Sequence, residues 1–446
     1  MTQQTPQFEQ ASFSQWHQLV SDSLKGKDWR TLTTATSEGI TIDPLYYELT
    51  AVHHDQIEKV QQAWTDETIH FVEPVDSLEV DARTLHKKGA DAVTELVYFL
   101  VKLDEYYENH RRLPKQIGFS VDTHFFMEVA KLRAARVLWQ AFLHAHKLEP
   151  TAVALYAETS LRSFSSYDPT VNLLRSANSA FSAVIGGANA VAVHPFDVLT
   201  EPTPLGKRLA ENIVEVIRHE TFVTAVEDPA AGSYAVESLT AQLVDKAWDS
   251  FITVQDLPKD EQDAWFTAQS EKAFDTNLQA VASRKHALIG TTIYANPVDN
   301  SQTVNTTFDY RRLAEPFETI RAKLQPYSQR VAIIQAGDYK SSKPRVDYVK
   351  GYLSVFGWDT EVMDVPQFQQ HFRSYDYAVL AGTDEDIAVA VGNLPTSSLT
   401  IDVAGKHPEM SSLQQQGIDG SIYMGLSLLD KGHQLVAIWS GKEEAK

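Results

Sequence analysis

The sequence predicts an α/β protein that combines a (β/α)8-type barrel, shortened at its start, with a doubly wound domain of the flavodoxin-like type. Strand-like and helix-like patterns alternate over residues 48–295, and the alternation restarts over residues 329–446. Strands that alternate with helices form parallel βαβ units. About 250 residues of such units is the size of a (β/α)8 barrel, and a short run of five strands suits a doubly wound sheet.

The composition indicates a globular chain of two or three domains. The chain has 446 residues, of which 43% are hydrophobic, and it carries a net charge of −20. This acidity disfavours nucleic acid and anionic membrane as partners, because both require a basic surface. The chain has no cysteine, which excludes disulfides and thiolate chemistry. No apolar run approaches the roughly 18 residues of a membrane helix, so a cytoplasmic protein is expected.

Residues 1–47 are predicted to be an arm rather than a domain. Within them, residues 13–26 form a short amphipathic helix pattern with Trp16, Leu19 and Val20 on its apolar stripe. Extended segments follow, up to a proline break at Pro44. Such an arm cannot bury its apolar side alone, so it is expected to pack on the body of the chain or on a partner.

Residues 48–295 are predicted to be the barrel. The predicted strands are 68–75, 116–122, 152–158, 190–196 and 287–293. The predicted helices are 90–108, 125–142, 170–185, 205–220 and 237–251. This is fewer strands than a complete barrel contains, so a reduced barrel is expected.

A linker is predicted at residues 296–328, because this stretch is polar and then forms one charged helix pattern. The flavodoxin-like domain follows at 329–446, with a final helix at 427–439. Its predicted strands are 330–336, 358–364, 375–382, 398–405 and 420–425. The stretch "GDYKSSKPR" at 337–345 is predicted to be a loop between a strand and a helix, where doubly wound domains bind ligands.

Three strings together resemble coenzyme B12-dependent methylmalonyl-CoA mutase. They are "LKGKDWRTL…EGITIDPLY" in the arm, "FFMEVAKLRAARVLW" (125–139) and "EDPAAGSYAVESLTAQL" (227–243). The string "DPTVNLLRSANSAFSAVIGGANAVAVHPFD" (168–197) is more similar to the small subunit of two-chain bacterial mutases than to the large one. The resemblance implies an arm, a CoA-type barrel, a linker and a cobalamin-type domain. It also implies a heterodimer in which the arm wraps the partner.

The resemblance implies a cobalamin loop that has lost its ligands here. In the family, the pattern D-x-H-x-x-G follows the first strand of the last domain, and its histidine ligates cobalt. In this chain Lys340, Ser342 and Arg345 stand at those three positions. A lysine cannot accept a hydrogen bond from imidazole, and no histidine lies between residues 287 and 370. We therefore expect this chain to bind no cofactor and adenosylcobalamin to reside in the partner subunit.

The resemblance also implies that the catalytic Tyr-His pair of the barrel is lost. At its place stand Arg83 and Thr84, while His86 comes two residues late and is expected to lie on the surface. The segment between Tyr47 and about residue 81 is too short for the early strands of the family, so no catalytic residue is expected.

The other candidate residues are interpreted mainly as structural, and no metal site is predicted. His124 is interpreted as a helix cap or loop residue. His194, with Asp197, is weighed as a minor candidate for an active role at the end of a barrel strand.

The resulting hypothesis is a non-catalytic small subunit of a heterodimeric mutase that isomerises methylmalonyl-CoA and succinyl-CoA in propionate metabolism. Its partner is the large catalytic subunit, which this chain stabilises. Two alternatives stay open. One is a stand-alone acyl-CoA mutase or barrel enzyme with altered chemistry, and the other is a scaffold that delivers cofactor.

Overall fold

The computed structural model of the chain describes residues 11–64, 69–299, 304, 309–326, 330–395 and 399–444, with side chains up to residue 440. In chain order, the elements of the first part are α1 (Phe13–Ser23), β1 (Thr34–Ala35), β2 (Thr41–Ile42), α2 (Ala51–Ala63), β3 (His70–Phe71), β4 (Val80–Asp81), α3 (Arg83–Lys87), α4 (Ala92–His110), β5 (Gln116–Val121), α5 (Phe125–Ala145), β6 (Ala154–Thr159), α6 (Pro169–Ile185), β7 (Ala190–Ala192), α7 (Pro204–Glu220), α8 (Tyr234–Gln255) and α9 (Lys259–Ala282). Those of the second part are α10 (Glu315–Leu324), β8 (Val331–Gln335), α11 (Tyr339–Leu353), β9 (Thr360–Asp364), α12 (Val365–His371), β10 (Tyr377–Ala381), α13 (Asp384–Val391), β11 (Thr400–Ala404), α14 (Met410–Gln415), β12 (Gly420–Ile422) and α15 (Leu428–Glu444).

The first part contains a parallel sheet of five strands in the order β3-β7-β6-β5-β4. Side chains alternate between the two faces of a strand. Ile117 and Phe119 of β5 therefore join the main core with α4 and α5. Gly118 of β5 and Tyr156 and Glu158 of β6 point the other way, and we call this side the polar face of the first sheet.

The second part contains another parallel sheet of five strands, in the order β12-β11-β10-β8-β9. Hydrophobic clusters cover both of its faces. The central strands are accordingly continuous apolar runs, as "VAIIQ" in β8 and "YAVLA" in β10 illustrate. Connections from β8 and β10 leave in opposite directions along the sheet, which makes the space between these strands a topological switch point.

The two sheets confirm the α/β alternation, and most predicted elements occur within a few residues of their predicted ends. The prediction of a strand at 287–293 was wrong, because Gly290 and Tyr294 have positive φ and the stretch forms a turn with a single bridge between Ile289 and Ile293. The predicted strand at 68–75 reduces to β3, and residue 68 lies outside the described residues. The long, mostly polar helix α9 had no clear apolar stripe and was missed. Among the described residues, no helix is long and apolar enough to cross a membrane.

Candidate functional site

The stretch 337–345 is mostly helical, because α11 begins at Tyr339. Asp338 caps the helix: its carboxylate accepts hydrogen bonds from the backbone N–H groups of Lys340 and Ser341, at 2.9 and 3.3 Å. A capping aspartate satisfies donors that have no partner inside the helix. The prediction of a loop was therefore wrong beyond residue 338. All three positions of the family's cobalamin pattern lie in the helix.

The first two of those three residues differ in their exposure. Lys340 is exposed, whereas Ser342 is fully buried. The Ser342 hydroxyl donates to the backbone carbonyl of Asp338 at 2.8 Å, one turn earlier in the chain. A serine that bonds back to its own helix in this way is a structural residue.

Arg345, the third, fills the switch point. Its guanidinium donates to the carbonyl of Gly382 at 2.6 Å and to the carboxylate of Asp384 at 2.8 Å, both just beyond β10. On its other side, a Cβ placed on Gly405 beyond β11 would lie 3.2 Å from the Arg345 Cζ. In doubly wound sheets, ligands bind in the crevice at the switch point. Here a side chain of the protein occupies that crevice.

The structure brings His407, a histidine that the sequence analysis did not consider, to this same edge. Both of its ring nitrogens are engaged within the chain. Nε2 donates to the carbonyl of Asp384 at 3.0 Å, and Nδ1 accepts from the backbone N–H of Glu409 at 3.1 Å. The residues present at this edge therefore do not fit a cobalamin whose cobalt is held by a histidine.

The polar face of the first sheet is centred on Glu158, which is almost completely buried. Arg83 and His194 approach its carboxylate at 2.5 and 3.3 Å, and the Tyr156 hydroxyl donates to it at 3.1 Å. Burial opposes ionisation, but the hydrogen bond from His194 and the charges of His194, Arg83 and Lys87 outweigh it. They lower the pKa of Glu158 to about 2. The cluster is an ionised carboxylate enclosed by cationic partners.

The chain between β3 and β4 covers this polar face. Leu78 packs so closely on Gly118 that a Cβ at the glycine would lie 2.5 Å from a Leu78 methyl carbon. The backbone of Val75 bonds to both sides of the cluster, since its N–H donates to Tyr156 and its carbonyl accepts from Arg83. Residues 72–79 thus fill the space over the sheet with the protein's own atoms.

The expectation that His86 lies on the surface was wrong, because it is 1% exposed. Its Nδ1 lies 2.6 Å from a carboxylate oxygen of Glu95, and its Nε2 lies 2.7 Å from the hydroxyl of Ser160. Lys131 holds the other Glu95 oxygen at 3.0 Å. Burial, together with the charges of Arg162 and Lys131, lowers the pKa of His86 well below its ordinary value, so the ring is neutral. Glu95, nine residues away in sequence, gave no signal of this contact.

Ser160, His86 and Glu95 have the connectivity of a nucleophile, a base and an acid, but the hydroxyl is closed off. Ser160 accepts hydrogen bonds from the backbone N–H of Arg162 and from the hydroxyl of Tyr310, both at 3.0 Å. Its own proton is therefore directed at His86, and both of its lone pairs are occupied. Ser160 is buried, and its hydroxyl is fully hydrogen-bonded. The group of three residues therefore has a structural role.

The remaining candidates occupy structural positions. His124 caps α5, as expected, with Nδ1 accepting from the backbone N–H of Met127. His194 and Asp197 do not form a pair, because the Asp197 carboxylate accepts from the backbone and hydroxyl of Thr203 instead. The side chain of Thr84 is exposed and bonds to the Asp81 carbonyl. Within the described residues, no group of three or more His, Asp or Glu side chains could hold a metal ion.

Two of the strings that carried the family resemblance meet in the core. Arg133 of α5 forms ion pairs with Asp228 and Glu237, and all three side chains are buried. Glu237 also accepts a hydrogen bond of 2.5 Å from Gln56 of α2. These strings therefore serve as a scaffold that joins three helices and the loop before α8.

Comparison with known proteins agrees with this resemblance. A family model described as methylmalonyl-CoA mutase matches residues 54–330. Methylmalonyl-CoA mutase of Rhizobium meliloti is 36% identical over 197 residues, which is 41% of this chain and 27% of the relative. The methylmalonyl-CoA mutase small subunit of Porphyromonas gingivalis is 33% identical over 237 residues, or 49% of this chain and 38% of the relative.

The small subunit of Propionibacterium freudenreichii subsp. shermanii aligns over a longer stretch. It is 25% identical over 415 residues, which cover 82% of this chain and 64% of the relative. In each of these comparisons the chain spans less than two thirds of the relative's own length.

Proposed function

The chain belongs to the methylmalonyl-CoA mutase family, and on that premise we propose that it is the non-catalytic small subunit of a heterodimeric, adenosylcobalamin-dependent mutase. The large subunit holds the cobalamin and interconverts methylmalonyl-CoA and succinyl-CoA in the cytoplasm. This chain folds against the large subunit and stabilises it. The names of the small-subunit relatives support the assignment to this type of chain.

The observation that carries the proposal is the occupied switch point of the second sheet. Arg345 bonds to Gly382 and Asp384 in the crevice where a ligand would enter, and Ser342 is buried in the helix. A cobalt ligand supplied from this position would require a different backbone and a different side chain. The proposal therefore assigns cofactor binding to the partner.

The first sheet supports a reduced barrel. Its two edge strands, β3 and β4, follow each other in sequence, as they would if the strands once between them had been lost from a closed (β/α)8 ring. Residues 72–79 cover the polar face, where substrate would lie in a complete barrel. The strand order of the second sheet is that of flavodoxin-like domains. The proposal keeps the domain limits at 48–295 and 329–446, with the arm at 1–47.

The arm of residues 1–47 supports the proposal of a partner subunit. No residue of α1 is buried, although the helix carries the aromatic side chains of Phe13 and Trp16. Phe13 stacks on Tyr47 with ring centroids 4.8 Å apart, and Trp16 meets Trp29 edge-on at 5.8 Å. Tyr47 is exposed, and the other three rings are partly exposed. Such an aromatic cluster at the surface resembles the core of a protein interface. In the proposal it packs on the large subunit.

Co-expression with a large mutase subunit tests the proposal. The chain is expected to co-purify with the large subunit in equal amounts and to raise its thermal stability. Cobalamin absorbance and mutase turnover are expected in the complex and not in this chain alone. The double variant Trp16→Ser with Leu19→Ser is expected to abolish co-purification. Phe222→Ser, which removes an exposed aromatic side chain outside the arm, serves as the control.

Each alternative has its own outcome in that experiment. Turnover of an acyl-CoA by the purified chain alone would favour an enzyme with altered chemistry. Binding of cobalamin by the chain, followed by its transfer to the large subunit, would favour a delivery scaffold. Either outcome would overturn the proposal that the chain is a non-catalytic subunit.

A further inference from the structure

A cavity of about 760 Å³ lies at the carboxyl end of β5, apart from the switch point of the second sheet. Its walls are the hairpin at 34–38, the first turns of α4 and α5, the first half of α6 and the segment 285–289. This volume is typical of small-molecule sites. The function proposed above assigns no ligand to it.

Arg175 of α6 lines the cavity and is only 8% exposed. Its guanidinium makes two hydrogen bonds, both to neutral acceptors: the Asn172 side-chain oxygen at 2.8 Å and the Ile289 carbonyl at 2.6 Å. Among the described residues, no carboxylate lies within 4.0 Å of it. Burial lowers the pKa of Arg175 to about 10, although the charges of Asp122 and Asp168 oppose this from beyond ion-pair distance, so the group remains charged at neutral pH. A buried cation with no carboxylate in direct contact is costly to a protein.

Other buried arginines of this chain show what a structural role requires. Arg133 has two carboxylates, and Arg312 pairs with Glu318 at 2.7 Å. Arg136 lacks a carboxylate but donates to the carbonyls of three segments and stacks on Trp64. Arg175 has neither arrangement, and it is directed at an open volume rather than into the core.

The carboxylates that line the cavity already interact within the chain. They are Glu38, Glu95, Asp122 and Glu128. Lys131 binds both Glu95 and Glu128, and Asp122 accepts from Ser163 at 2.9 Å and faces Arg162 at 4.0 Å. Glu38 accepts a hydrogen bond from the Ser37 hydroxyl at 3.3 Å, and its repulsion adds to burial in raising the pKa of Asp91 to about 6. Lys285, exposed at the rim, adds a second cation on the side of Arg175.

The rest of the wall is mixed: polar side chains such as Thr123, His124 and Asn178 line one part of it, and another part is apolar. The apolar part is formed by Met127, Val171, Leu174, Leu288, Ile289 and Leu313. Leu174 is 67% exposed, so its side chain stands at the mouth of the cavity next to Arg175 in sequence. A ligand that suits this wall carries hydrocarbon as well as charge.

We propose that this cavity binds a small organic carboxylate, whose anionic group pairs with Arg175 and whose hydrocarbon part lies against Leu174 and Leu288. A guanidinium presents parallel donors that match a carboxylate. One buried cation together with a partly apolar wall suits a carboxylate better than a phosphate dianion, which calls for more donors. The site is independent of the mutase assignment, because it concerns this chain alone.

Calorimetric titration of the purified full chain tests the site, with sodium butyrate, sodium succinate and sodium phosphate as probes at constant ionic strength. At least one carboxylate is expected to bind saturably, and phosphate is not. Butyrate binding indicates a monocarboxylate and succinate binding a dicarboxylate. Arg175→Gln is expected to weaken binding by about tenfold or more, since it removes a charge-assisted hydrogen bond. Arg208→Gln, an exposed arginine of α7, is the control with the same change in charge.

The unliganded variant provides a second readout. Arg175→Gln is expected to leave Tm unchanged or to raise it, because it removes a buried cation without an anionic partner. Saturable binding of phosphate alone, no saturable binding of either carboxylate, or equal affinity in Arg175→Gln would overturn the proposal. If Arg175→Gln does not fold, carboxylate binding is measured with Leu174→Asp, which places a negative charge at the exposed mouth of the cavity. Loss of binding there supports the site, and unchanged affinity overturns it.

Discussion

The Arg345 guanidinium lies 2.8 Å from the Asp384 carboxylate and so ties α11 to the start of α13 across the switch point. The same side chain donates to the Gly382 carbonyl, so the bridge has two anchors. Arg345, which the family resemblance aligns with a loop glycine, therefore cross-links α11 to the segment that follows β10.

Arg345→Ala is expected to lower the free energy of unfolding by about 1–2 kcal/mol, because two hydrogen bonds to a charged donor are lost from a half-exposed site. Urea unfolding measures the change. Lys343→Ala removes an exposed ion pair with Asp347 in the same helix and is expected to cost clearly less than Arg345→Ala, because solvent screens the pair. Equal effects of the two variants would contradict a cross-linking role for Arg345.

Ser342→His restores the histidine that the family places at this position, and we expect it to destabilise the protein without creating a cobalamin site. Ser342 is fully buried in α11, so a larger ring overpacks the site at a cost of about 1–3 kcal/mol. Ser341→His, at the exposed neighbouring position, is the matched control. Thermal unfolding and cobalamin absorbance are the measurements, and red protein from Ser342→His would refute the expectation.

Arg133→Gln is expected to cost about 3–5 kcal/mol, because it leaves Asp228 and Glu237 buried without their cation. Arg330→Gln offers the comparison, since its ion pair with Glu361 at 3.5 Å is exposed on both sides and is worth about 1 kcal/mol or less. Denaturant titration of both variants gives the two values. A small loss of unfolding free energy for Arg133→Gln would mean that the ion pairs between residues 125–139 and 227–243 do not stabilise the core.

Glu158 is expected to make stability depend on pH in the acid range. Its folded pKa of about 2 lies below the unfolded value of about 4.3, so its contribution is complete above that value and is lost as pH falls towards 2. The shift corresponds to roughly 3 kcal/mol. The stability difference between the wild type and Glu158→Gln, measured at pH 7, 4 and 3, should therefore shrink with acidification. A difference that stays constant would contradict an ionised, clamped carboxylate.

The sequence predicted the alternation of strands and helices well where one face of an element is buried. Alternating apolar residues define β5, and a dense apolar periodicity defines α5. The prediction failed where a few hydrogen bonds determine the backbone conformation. The cap formed by Asp338 starts α11 before Pro344, although a proline inside a helix usually marks a break.

The sequence shows which residues stand at positions 340, 342 and 345, but it does not show what their side chains contact. The absence of histidine at residue 342 can be read directly, but the use of Arg345 as a bridge depends on Asp384, which is remote in sequence. The prediction that His86 lies on the surface was wrong for the same reason. Lys87 and Lys88 beside it indicate a surface, yet its partners Glu95 and Ser160 arrive from other elements.

The segment 72–79 lies on the polar face of the first sheet as a tethered occupant. A tethered group is present at an effective concentration set by the chain, not by the surrounding solution. Occupancy of that face is therefore constant, and no metabolite can add to the stability of the chain there by mass action, as a substrate does for an enzyme that binds it. This part of the fold is independent of metabolic state, which suits the non-catalytic role proposed for the chain.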